Sequence, residues 1–272
     1  MKSNLAEQRK SYYSQVAEYY DREAADFEKH YSNNIILQRL RHDFRKITEQ
    51  YSFSSALEIG CGPGLDLAYF GHNYPERLFR GIDVSEKMVM IANRKFKTIK
   101  ADVQAYVATP ETMESNFPDL TFDLIYCYFG ALNTVFDLEQ TAAVLRRMVS
   151  ADGALVLTFV NRWFLFDILW NMLRLRFRKA FFRLGTIWPG YAPDRSLESA
   201  CRSARQITRS FSPHFNLEFR KGYSIVYPAW FRHRFIDTRG RLGKWLWSID
   251  QLLNRTPFWN LGEYSFYVFR PK

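Results

Sequence analysis

The sequence predicts an α/β fold built on a doubly wound, mostly parallel sheet. Three features point there. Short apolar runs bounded by turn residues alternate with helical patterns between residues 52 and 161. The first of these runs, residues 56–59, breaks into Gly60-Cys61-Gly62-Pro63-Gly64. The composition then changes near Asn161. Residues 1–161 hold 18 Lys and Arg against 21 Asp and Glu, whereas residues 162–272 hold 20 against 7, together with all seven tryptophans. The chain is read as an N-terminal helical lid (1–50), a ligand-binding core (51–161), and a late helical cap (162–272) that also carries the last strands of the sheet.

The elements follow from local pattern. Residues 5–30 read as a helix with a tyrosine face (Tyr12, Tyr13, Tyr19, Tyr20), and residues 33–50 as a second, with Ile36, Leu37, Leu40, Phe44 and Ile47 at helical spacing. Residues 56–59 form a buried strand, 65–70 open a helix and 78–84 form a second strand. Ser85 caps the next helix, which turns Met88, Val89, Ile91 and Ala92 inward. A third strand is expected at 98–102. A fourth, at 122–128, is almost wholly apolar, as a strand covered on both faces must be. Residues 138–149 are a helix and 154–160 a fifth strand. Beyond Asn161 come a basic aromatic helix (162–184), a loop (185–195), a helix (196–211), a strand (216–226), a Trp-rich helical stretch (228–261) and an alternating final strand (263–270).

Composition narrows the classes. With 47% hydrophobic and 24% charged residues in 272, the chain is neither disordered nor fibrous. Three cysteines without a CxxC pair exclude a disulfide framework and a zinc ribbon, and suggest a reducing compartment. The first twenty residues hold no apolar signal core, and no run reaches the ~18–20 apolar residues of a membrane span. A cytoplasmic location is expected, with membrane association through the basic Trp-rich cap. The five histidines show no ligand spacing, so no metal is expected. The net charge of +10 argues for an anionic partner or surface.

The chemistry concentrates at the glycine turn. A strand entering a helix through side-chain-free positions lets the backbone approach a ligand closely. Asp83 ends the second strand, near the ~20-residue spacing at which a carboxylate meets ribose hydroxyls. Glu58 precedes the first glycine. It would oppose a pyrophosphate but would suit an ammonium. A ligand with a ribose and a cationic amino-acid end fits, and S-adenosylmethionine is such a ligand.

The run LEIGCGPG, then GIDVS, ADV, FDLIYCYFGALN and ADGALVLTF resembles the class I S-adenosylmethionine-dependent methyltransferases, small-molecule type. That resemblance implies a Rossmann-like sheet of seven strands closed by a reversed hairpin, here 216–226 and 263–270. It further implies that Gly60, Gly62 and Gly64 line the cofactor and Glu58 supports its amino end. Asp83 would hold both ribose hydroxyls. Asp102 would accept from the adenine amine with Val103 beside it, and Val84 and Met88 would pack on the ring. Cys61, inside the turn, and Cys127 are expected as small packing residues beside the cofactor. Tyr128 would pass by the sulfonium, and Tyr13 and Tyr20 are candidate lid residues. S-adenosylhomocysteine would be the product.

His214, just before the sixth strand, and His30, ending the first helix, are the candidate bases. The expected activity is methyl transfer to an O, N or C nucleophile of a small aromatic or lipid-like, acidic molecule. A non-catalytic partner- or membrane-binding protein and an RNA methyltransferase are the alternatives. The Asn/Asp-Pro-Pro-aromatic motif of base-amine methylation is replaced here by Cys127-Tyr128-Phe129-Gly130, and nucleic acid is disfavoured as a partner. The oligomeric state is left open.

Overall fold

A computed structural model describes residues 2–185, 187–188, 197–232 and 240–272 of the chain. Seven strands form one sheet: β1 (Ser55–Ile59), β2 (Leu78–Asp83), β3 (Asp102–Val107), β4 (Phe122–Cys127), β5 (Val149–Val160), β8 (Phe215–Tyr223) and β9 (Tyr264–Pro271), in the order β3-β2-β1-β4-β5-β9-β8. The first five run parallel, and β9 returns antiparallel to both β5 and β8. Strands β6 (Ile187–Trp188) and β7 (Leu197–Glu198) pair apart from it.

Helices cover both faces. On one side lie α3 (Ile35–Thr48), α4 (Leu65–Asn73) and α5 (Glu86–Phe96), whose Ile36, Leu40, Phe44, Phe70 and Ala92 share a core with Leu124 and Tyr126. On the other lie α6 (Leu138–Met148) and α9 (Ala204–Phe211), whose Leu145, Ile207 and Phe211 meet Ile125, Cys127 and Leu157. The alternation of β4 between the two cores is what a strand buried on both faces requires. Local signals set the helix ends. Asn34 accepts from the Ile36 and Leu37 amides, Ser85 from Met88, and Ser203 with Gln206 forms a capping box. The N-terminal residues fold as α1 (Lys2–Glu23) and α2 (Phe27–Ser32), a break that places His30 within α2. Asp21 fastens α1 to the N-terminus of α5 by accepting from the Ser85 hydroxyl and the Lys87 amide.

Three expectations are corrected. The third strand is at Asp102–Val107, not 98–102, because β3 is an edge strand with one face exposed and its ends are set by pairing Leu78 with Asp102 and Asp83 with Val107. The helix expected over 162–184 is broken into α7 (Leu165–Leu173), α8 (Phe177–Ala180) and a short 3-10 turn, with Leu175 left-handed between the two helices (φ 55°). In place of a helix over 196–211, Leu197–Glu198 is extended and α9 spans only its last eight residues. Within 228–261 the long helix is α10 (Arg241–Leu253). Most of the loop expected at 185–195, together with residues 233–239, lies outside the described residues.

Glu263, at the head of β9, is buried with Oε2 unpartnered and Arg183 3.5 Å from its other oxygen. Burial pushes its carboxyl up to about 7, against the pull of Arg183. The folded state therefore holds this proton more tightly than the unfolded chain, so its contribution to stability is present at acid pH and is lost as pH rises toward 7. Glu263→Gln keeps an acceptor for Arg183 and removes the titration. The fall in unfolding free energy between pH 5 and 7.5 is expected to be shallower in this variant, by roughly 3 kcal/mol at full effect, since each tenfold change in proton affinity is worth about 1.4 kcal/mol. Identical pH profiles for the two proteins would contradict the assignment.

Candidate functional site

A cavity of about 600 Å³ lies over the C-terminal ends of β1, β2 and β4, roofed by α1, α2 and α3. That volume falls within the ~300–1,000 Å³ of small-molecule sites. Its position follows from topology. The order reverses at β1, with β2 on one side and β4 on the other, which opens the crevice where doubly wound sheets take ligands.

The glycine turn forms the floor. Gly60 and Gly62 line the cavity with φ of 69° and 50°. A Cβ on Gly62 would meet nothing within 4 Å, so this backbone faces open space. Asp83 braces the turn: its Oδ2 accepts from the Gly62 amide (2.8 Å) and its Oδ1 from Ser85 (2.9 Å). Burial pushes the Asp83 carboxyl up, and those backbone donors pull it back. Each oxygen keeps a lone pair for a ligand hydroxyl. Val84, Met88 and Cys61 also line the cavity, as expected, and burial holds the Cys61 thiol well above its usual range.

Glu58 is 2% exposed and accepts from the Tyr126 hydroxyl at 3.2 Å. Burial, reinforced by Asp66, drives its carboxyl well above the ordinary range, while Arg41 and Arg45 oppose this. Asp66 bridges both arginines, at 3.0 Å to Arg41 and 2.7 Å to Arg45. Arg41 lines the cavity between the rings of Tyr31 and Phe129, 4.2 and 4.8 Å from their centroids, and its buried Nε has no hydrogen-bond partner. The expected site did not include this cluster. The available signal was a pair of arginines one helical turn apart on the apolar face of α3, with an aspartate in the first turn of α4.

Tyr128 lines the cavity. Thr48 spends its one proton on the Phe44 carbonyl (2.9 Å), so the 2.6 Å bond between Thr48 and Tyr128 is donated by the phenol. Tyr13 and Tyr20 line the lid side. The Tyr13 hydroxyl donates to Glu111 and accepts from the Phe136 amide, pinning α1 over the site. His30 reaches the cavity wall, with Nδ1 3.9 Å from Glu23.

Five expected site residues are not brought here. Asp102 sits at the opposite, N-terminal end of β3, exposed and paired with both Arg80 nitrogens (2.8 and 2.9 Å), and Arg80 holds its carboxyl below the usual range. Val103 beside it packs toward Gly71 in the core. Ala108 and Pro110, past the true end of β3, line the cavity instead. Gly64 is a packing glycine, since a Cβ there would lie 2.5 Å from the Phe96 ring. Cys127 points to the far face of the sheet, where burial pushes its thiol up to about 12. His214 precedes β8 at the edge opposite the cavity, because β8 runs in the same direction as β5.

Fold and site together define a doubly wound domain built to hold a small, nucleoside-containing ligand. Residues 56–153 match the methyltransferase-domain family. It is 32% identical over 167 residues to an uncharacterized protein of Methanocaldococcus jannaschii, covering 60% of this chain and 59% of that one. Over 99 residues it is 27% identical to demethylmenaquinone methyltransferase of Lactobacillus johnsonii, covering 36% and 40%. The chain thus spans less than two thirds of either relative's length. The structure of DhpI in complex with SAH shares the fold, with a TM-score of 0.57 at 13% identity, over 95% of this chain and 96% of that one.

S-adenosylmethionine is the cofactor of the family, and the residues fit it. Gly62 leaves backbone open for a close approach, Asp83 retains acceptors for two hydroxyls, and Arg41 offers an unpartnered buried Nε to a carboxylate.

Proposed function

We propose that the protein methylates an O, N or C nucleophile of a small aromatic or lipid-like molecule that carries an acidic group. The observation that carries this reading is the single cavity with two kinds of wall. Part of its lining is the glycine turn with Glu58 and Asp83, and part is aromatic, with Phe27, Tyr31, Phe129, Trp230 and Tyr264. When bound, S-adenosylmethionine supplies an electrophilic methyl group and departs as S-adenosylhomocysteine.

The chain's own residues bind and orient. Asp83 accepts from the ribose hydroxyls, Val84 and Met88 hold the adenine, and Arg41 meets a carboxylate. The aromatic wall excludes water and holds the acceptor in line with the methyl, a positioning effect worth several kcal/mol. Tyr128, its proton committed to Thr48, presents oxygen lone pairs to a donor on the acceptor. His30 takes the acceptor's proton where one must leave. The acidic character of the acceptor is supported by the basic excess of residues 162–272, 20 Lys and Arg against 7 Asp and Glu. The demethylmenaquinone methyltransferase matches over 99 residues only and does not carry its acceptor to this chain.

Purified protein incubated with methyl-labelled S-adenosylmethionine and an extract of the source cells tests this directly. Label is expected in the organic-soluble fraction. Label in the macromolecular fraction would replace the reading with an RNA or protein acceptor. Cofactor bound without any transfer would leave the non-catalytic alternative.

A further inference from the structure

Helix α7 is inside out. Its one buried side chain is Asn171, which donates to the Asp167 carbonyl (2.8 Å), and Asp167 is itself paired with Arg232. The apolar residues face solvent: Leu165, Phe166, Leu169, Trp170, Met172 and Leu173 are all exposed. The exposure continues past the helix end, where Leu173 and Leu175 reach 82% and 77%, and on to Phe177 in α8. Leu175, left-handed at the bend, stands between these two helices. A contiguous apolar surface of this kind on a folded chain marks a contact face.

Charge says what it contacts. Arg174, Arg176, Arg178 and Lys179 are interleaved with the apolar tips, all exposed, and Asp167 is the one acid between residues 162 and 185. A second copy of the chain would bring cations against cations. Nucleic acid would need free ring faces for stacking. Trp170 instead lies flat on Phe166 (6.2 Å, 12°), with Arg174 and Arg232 4.4 and 4.8 Å from its centroid. Aliphatic tips ringed by cations match an anionic lipid interface, where the tips enter the acyl boundary and the cations meet headgroup phosphates.

The face also adjoins the cavity. Trp230 lines the cavity, and the two residues after it reach α7: Phe231 meets Phe164 at its start, and Arg232 lies over Phe166 and Trp170. We propose that α7 and α8 dock the protein peripherally on an anionic lipid surface, with the cavity wall one layer behind the docking face. This contact stands apart from the methyl-transfer reading, since vesicle binding is measured without turnover.

The test is flotation of the full chain with phosphatidylcholine vesicles, with and without phosphatidylglycerol. Native protein is expected to float with the anionic vesicles about tenfold more than with neutral ones, and added salt should release it. Leu173→Asp with Leu175→Asp, and separately Arg176→Glu with Arg178→Glu, should each reduce flotation about tenfold while circular dichroism and cofactor affinity stay native. Flotation equal for native protein and both variants would overturn the proposal. So would protein that ignores both vesicles, and in that case self-association or RNA retention would assign the face to another partner.

Discussion

Replacing Asp83 with Ala should weaken S-adenosylmethionine and S-adenosylhomocysteine binding about a hundredfold or more. Two effects combine. The variant loses the acceptors for both ribose hydroxyls, and hydrogen bonds to a charged group contribute about 1.5–3 kcal/mol each. It also releases the Gly62 and Ser85 amides that Asp83 holds, so the glycine turn loses its brace. Asp83→Asn separates the two effects. The amide oxygen still serves one of these donors, but the NH2 group must face the other, so an intermediate loss is expected. Titration calorimetry gives the affinities, and the far-ultraviolet spectrum checks that the fold survives. An Asp83→Ala protein that binds within threefold of native would show the ligand to sit elsewhere.

Asp66→Ala should give the largest loss of stability among single changes near the site, about 3–5 kcal/mol. It removes the carboxylate that bridges Arg41 and Arg45, and both guanidinium groups are largely buried. A buried ion pair adds little over an apolar replacement, but removing one partner strands the other charge. Here two charges are stranded. The ring faces of Tyr31 and Phe129 on Arg41, and of Tyr69 on Arg45, compensate only in part. Urea denaturation with an unchanged slope measures the difference. A loss below about 1 kcal/mol would mean that solvent reaches the cluster.

The cofactor half of the site was legible because several local signals coincide there. An apolar strand, a glycine turn, a capping serine and a carboxylate at the end of β2 lie within 34 residues of sequence, from Ser55 to Met88, and each signal acts over one or two turns of chain. Gly60, Gly62, Glu58, Asp83, Val84 and Met88 all meet at the cavity for that reason. The misplaced residues share a different cause. Asp102 was assigned to the wrong end of β3 because the ends of an edge strand are set by its partner's register. Cys127 and Tyr128 are adjacent, and which of them faces the cavity depends on the parity of β4 within the sheet. His214 depended on the direction of β8, which only its pairing with β9 reveals.

By itself the sequence determined the strand–helix alternation, the glycine turn with its two partner carboxylates, and the division into an acidic core and a basic, Trp-rich cap. These are matters of composition and short-range spacing. The tertiary structure alone decided that Arg41, Arg45 and Asp66 meet in a buried cluster, that Gly64 packs against Phe96 and does not face the ligand, and that α7 turns its apolar side outward. Burial, register and charge pairing depend on segments distant in the chain. No pattern within one helix or strand says which of its faces the rest of the molecule will cover.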